Sequence, residues 1–160
     1  MPTLTITMGI PASGKTTWAQ HHATTTGAQH HSTDQLRTNY RNAAHFMRQL
    51  HDNISNALHD GHDVVTDGCN INERDRTEWL NIAHHTGSTP HLAIITTPTN
   101  LCIERNNQRP HNEQVPHKRM LWYARKVHTA AALTTREPWA NVHHINPPII
   151  SGTSGATRTW

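Results

Sequence analysis

Apolar positions fall along this chain in short blocks whose period switches between two and about four. Residues 3–8 alternate Leu4, Ile6 and Met8 with threonines, the pattern of a β-branched strand, and run into Gly9. Residues 15–22 carry no breaker and predict a first helix, ending before a threonine run and Gly27. Residues 29–32 read as a weak strand, and Thr33 and Asp34 are good caps for a second helix. From 43 to 60, Phe46, Leu50, Ile54 and Leu58 recur every four residues beside Met47 and Ala57, an amphipathic stripe stopped by Gly61. A short strand at 62–67, a helix capped by Asn72 and closing at Gly87, and a strand at 91–96 follow. Helices are predicted at 100–108 and 116–132, a last strand at 141–145, and a flexible tail at 151–160.

Strands alternating with helices at this rhythm require right-handed crossovers, which predicts an α/β fold: a doubly wound, mostly parallel sheet of four to five strands with helices on both faces and a helical lid at about 100–116. No repeat or linker divides the chain, so residues 1–150 are expected to form one domain.

Composition sharpens the picture in four ways. An apolar fraction of 34% and mean hydropathy of −0.72 would suit disorder, but the periodic segments argue for a folded core. A net charge of +3 suits a polyanionic partner without demanding one. Two cysteines, no charged-then-apolar leader and no run long enough for a bilayer predict a reduced, cytoplasmic setting and no membrane partner. None of the sixteen histidines sits in a His-Glu-x-x-His or Cys-x-x-Cys frame, so their pairs read as exposed drift rather than a metal centre. Oligomeric state is not legible.

The chemistry starts at Gly9-Ile10-Pro11-Ala12-Ser13-Gly14-Lys15-Thr16, which matches Gly-x-x-x-x-Gly-Lys-Ser/Thr at every defined position, after a strand and before a helix. Such a loop turns backbone N–H groups toward phosphate oxygens, and the helix N-terminus adds positive field. Gly9, Ser13, Gly14, Lys15, Thr16 and Thr17 are therefore the expected nucleotide site, with ATP as donor, Lys15 at the β/γ-phosphates and Thr16 on Mg²⁺.

Extended through Thr17-Trp18-Ala19, this stretch closely resembles the phage-type 5′-polynucleotide kinases. That continuation separates it from adenylate-type kinases, which usually carry glycine where Thr16 stands. A hydroxyl acceptor needs a carboxylate to take its proton. Asp34 follows the second predicted strand at the ligand-binding edge, with Arg37 three residues on. The pair resembles the family's Asp-x-x-Arg, which implies Asp34 as general base and Arg37 as clamp for the 3′-phosphate of the first nucleotide. Asp67 ends a buried strand, where it would support the metal, through water, or Lys15; a plain Asp-Gly turn is the alternative. The run 66–74 is similar to the family's Asp-x-Asn-Leu-Asn-Pro-Glu-Arg, with its asparagine, Asn70, one place later, and puts Asp67 and Asn70 beside the acceptor.

Arg105 and Arg109, four residues apart, are expected on one helical face. They resemble the family's lid Arg-Asn-x-x-Arg before a Val-Pro start, here Val115-Pro116, which implies Arg109 as transition-state clamp and Arg105 as a β-phosphate or structural contact. The resemblance covers about 4–123 and implies 5′-hydroxyl DNA or RNA ends as partners, in a host cytosol for a phage enzyme, and a role in nucleic-acid repair. With no Asp-x-Asp-x-Thr motif, no 3′-phosphatase activity is expected. Two other readings stay open: a kinase for a nucleoside, nucleotide or other small alcohol, and an NTP-driven switch or motor subunit. Lys15, Lys118 and Lys126, the only lysines, leave no Asn-Lys-x-Asp guanine reader for the last.

Overall fold

The computed structural model describes residues 1–33 and 43–147. The helix expected from Asp34, the site residues Asp34 and Arg37, and the tail at 151–160 lie outside the described residues.

Five strands form one wholly parallel sheet in the order β2-β3-β1-β4-β5: β1 (Thr3–Met8), β2 (Gln29–Ser32), β3 (Val64–Asp67), β4 (Thr89–Ile95) and β5 (Asn141–Ile145). The order reverses about β1, so the segment leaving β1 emerges at the switch point where such sheets bind ligands. Period-two alternation gives β1 two different faces. Leu4, Ile6 and Met8 are fully buried with Val64, Leu92 and Ile94 against helices α2 (Ala43–His59) and α3 (Glu73–Thr86). These contribute Phe46, Leu50, Ile54 and Leu58 from the four-residue stripe, and Trp79 and Ala83. On the other face Ala19 and Ala23 of α1 (Lys15–Thr26) pack on Val65. Helices α4 (Thr99–Asn107) and α5 (His117–Leu133) add a smaller cluster of Ile10, Cys102 and Met120 behind the β1 turn.

Several boundaries differ from expectation for local reasons. Helix α1 runs through the threonine run to Thr26, where Thr24, Thr25 and Thr26 each turn their hydroxyl back onto the carbonyl four residues before, at 2.8–2.9 Å. Gly27, at φ 79°, then closes it. Strand β4 begins two residues early, at Thr89; Pro90 is tolerated because the ladder to β5 starts only at His91. Helix α4 stops at Asn107 because Pro110 disfavours helical geometry at Arg109, so Arg109 lies beyond the helix and the shared helical face with Arg105 is corrected.

Candidate active site

All five strands end at one edge, and the loop between β1 and α1 wraps over it. Its shape demands small residues at two points. A side chain at Gly9 would put a Cβ 3.0 Å from Ser13 Oγ and 3.2 Å from the Ile95 carbonyl, and Gly14 sits at φ 95°. Ala12 holds φ 61°, a left-handed conformation costly to a residue with a Cβ and common at ligand clamps. The loop is pinned from outside by Thr97, whose hydroxyl donates to the Ser13 carbonyl at 2.6 Å. From inside, Lys15 Nζ donates to the Ile10 carbonyl at 2.7 Å. Ser13 Oγ is buried and has no partner among the described residues.

Below the loop stands Asp67. It is 3% exposed, and the Thr16 hydroxyl, in the first turn of α1, donates to its Oδ2. Its Oδ1 lies 3.5 Å from His30 Nε2 on β2. Burial alone would raise this carboxyl, but the nearby His30 imidazole, the Thr16 hydroxyl and Ser32 outweigh it and hold the group below its ordinary value, hence ionised at neutral pH. At 3.5 Å the imidazole is at the outer limit of hydrogen bonding, so the Thr16 hydroxyl is the firmer hold. A hydroxyl paired with an ionised carboxylate, beside a loop with an orphaned donor and no room for a Cβ at Gly9, is a donor set that fits a triphosphate with Mg²⁺.

One further cation faces this loop. Arg105, in the last turn of α4, brings a guanidinium nitrogen to 3.9 Å of where a Gly14 Cβ would stand. Cys102 reports the convergence: burial pushes its thiol up, while the charges of Arg105 and Lys15 pull it down. Arg109 sits in the turn after α4, its carbonyl accepting from Gln114 Nε2 at 2.8 Å, while Thr17 lies in the first turn of α1.

Asn70 is tied into the fold by its side chain. At φ 45° its Nδ2 donates to the Thr7 carbonyl at 2.8 Å and its Oδ1 accepts from Trp79 Nε1 at 3.0 Å, so both ends of the amide fasten the loop after β3 to the core. Arg76 completes that fastening. Its NH1 donates to the Asn70 carbonyl at 3.1 Å, and its Nε and NH2 form a fork on Glu137, down to 2.6 Å. Sequence reasoning missed Arg76, Glu137, His30 and Thr97. Glu137 is sixty-one residues from Arg76, and only a strand register puts His30 within reach of Asp67.

Comparison with known proteins bears on this site directly. A family model described as an AAA domain matches residues 4–128, from β1 through α4 into α5. The chain belongs to this family. It is a P-loop kinase domain. No curated protein matches the sequence. Among solved structures it is similar to a protein from Chloroflexus aurantiacus J-10-fl provisionally described as a kinase, with TM-score 0.67 and 16% identity over 96% of this chain and 92% of that one. It is also similar to a chain of the Pnkp1/Rnl/Hen1 RNA repair complex, with TM-score 0.72 and 15% identity over 82% of this chain and 45% of that one. A sugar kinase from Janibacter sp. HTCC2649 matches with TM-score 0.63 and 17% identity over 91% of this chain and 86% of that one. At these identities the likeness is one of fold.

Proposed function

We propose that this P-loop kinase domain transfers the γ-phosphate of ATP to the 5′-hydroxyl of a polynucleotide. The observation that carries the reading is the Thr16–Asp67 pair under a loop with an orphaned buried donor, at the same sheet edge that β2 reaches. Thr33, next after β2, donates to the Asp67 carbonyl at 3.0 Å, which ties the start of the acceptor segment to the metal-supporting strand. Asp34 follows Thr33 directly in the chain and is the base of this proposal.

The division of labour follows from charge. Loop amides and Lys15 bind and orient the triphosphate, while Arg105 and Arg109 balance charge that grows on the transferred group. Mg²⁺, held by Thr16 with Asp67 supporting it through water, would supply Lewis-acid neutralisation of the phosphate oxygens. Asp34 accepts the proton of the attacking hydroxyl, and Arg37 holds the 3′-phosphate that distinguishes a polynucleotide end from a free nucleoside. Polynucleotide rather than small-alcohol chemistry rests on the resemblance at Gly9–Ala19, Asp34–Arg37 and Arg105–Arg109.

The test is an acceptor panel. With γ-labelled ATP and Mg²⁺, a 5′-hydroxyl oligonucleotide and a 3′-phosphorylated nucleoside should be labelled well above a plain nucleoside, and Arg37→Ala should erase that preference. Equal labelling of free nucleoside and oligonucleotide would move the assignment to a small-molecule kinase.

A further inference from the structure

Helix α5 carries Lys118, Arg119, Arg125 and Lys126 and not one acidic residue among its seventeen. Two of the chain's three lysines are here. At 100° per residue, Lys118, Trp122, Arg125, Lys126 and Thr129 fall on one solvent face, while Met120, Val127 and Ala130 face the core. Trp122 is 39% exposed at the middle of this face, flanked by cations at i−4, i+3 and i+4. The Lys126 ammonium stands 5.8 Å from the centroid of its ring, near the outer limit of a cation–π contact, and Tyr123 braces the indole edge-on at 5.1 Å. Because α5 starts directly after Val115-Pro116, the face begins at the lid's edge and runs for about 25 Å.

We propose that this face of α5 is a docking surface for single-stranded nucleic acid, holding the strand away from the reacting end. Exposed cations neutralise phosphates, and an indole fixed among them offers a base a stacking platform without sequence preference. The inference rests on a polynucleotide acceptor and says where the rest of that acceptor lies. An anionic membrane surface fits less well. The apolar side of α5 is spent on the core, and its other exposed leucines, Leu121 and Leu133, are separated along the helix rather than gathered into a stripe.

The experiment uses the full chain and its K118A/W122A/K126A variant, all three positions being exposed. Anisotropy is read with a 3′-labelled, 5′-phosphorylated single strand of about twenty nucleotides, between about 50 and 200 mM salt. The variant should bind about tenfold or more weakly, with a salt slope shallower by roughly 1.4, the share of two cations on a single strand. W122F should retain most of the affinity. Phosphoryl transfer to a 5′-hydroxyl dinucleotide, too short to reach along the helix, should be unchanged in both. Unchanged affinity and slope in the triple variant would overturn the docking surface, as would a loss confined to phosphatidylserine vesicles. If instead the protein transfers phosphate to no 5′-end while the triple variant still loses the strand, the function assigned above fails and the docking surface stands.

Discussion

Asp67 is asked to stay charged while almost wholly out of water, and its neighbours show how. The Thr16 hydroxyl holds one oxygen, His30 approaches the other, and the balance keeps the carboxyl below its ordinary value of 3.8. A carboxylate lowered on folding contributes stability above its unfolded value, lost only as pH falls through the folded one, so the Thr16–Asp67 pair should persist throughout the neutral range. Asp67→Asn should therefore raise the Mg²⁺ requirement and slow transfer without unfolding the protein, as read by a magnesium titration of the rate. Lys15→Ala and Arg109→Ala should each slow turnover by roughly a thousandfold, in line with cations that clamp a transferring phosphoryl group. Circular dichroism should show both variants folded. A near-normal rate for Arg109→Ala would remove that residue from the site.

Among the elements, the connection from α4 to α5 illustrates how polar side chains set a backbone path. Asn106, 2% exposed, exchanges two hydrogen bonds with the backbone of Val115, Nδ2 to the carbonyl at 2.8 Å and the Val115 amide to Oδ1 at 2.9 Å. It folds the return from α4 to α5 as a strand neighbour would. Asn106→Ala should speed hydrogen exchange at the Val115 amide while the sheet amides keep their protection. The Arg76–Glu137 fork works at longer range, tying α3 to the segment before β5. Glu137→Ala leaves a guanidinium buried without its partner and should cost about 3 kcal/mol in a urea titration. These two devices also mark the limit of what the chain reveals before folding. Strand β1 and the stripe of α2 are written in local period, and the phosphate loop in local spacing, whereas β2 carries no apolar residue and is only weakly legible. Asn106 and Glu137 carry no local signature, because their partners are set by the path of a turn and by a contact sixty-one residues away. The end of α4 is legible to within a residue, but the four-residue spacing of Arg105 and Arg109 suggests a shared face that Pro110 prevents by ending the helix before Arg109.

At the scale of the whole molecule, a parallel sheet places five strand ends along one line and leaves a side-by-side set of histidines on the faces between. Among the described residues no group of histidine, cysteine and acidic side chains could hold a metal, and no helix is long and apolar enough to cross a membrane. Four of the histidines are shifted by where they sit. Burial lowers His22, His31, His51 and His91, and His91 and His143 further lower His22. A histidine lowered on folding binds fewer protons than in the unfolded chain, so stability is full above the ordinary value of 6.5 and declines as pH falls below it. The melting temperature should accordingly drop from neutral toward mildly acid solution, well above the range where Asp67 titrates, and His91→Gln should flatten that drop. The docking face of α5, the cations over the phosphate loop and the edge to which β2 leads all serve one proposed event, attack of a hydroxyl on the γ-phosphate with Asp34 taking its proton. The most direct measurement is the single-turnover transfer rate to a 5′-hydroxyl oligonucleotide for the wild type and Asp34→Asn, with ATP binding measured alongside. A fall of about a hundredfold or more with unchanged ATP affinity is the predicted result; equal rates in the two proteins would contradict it.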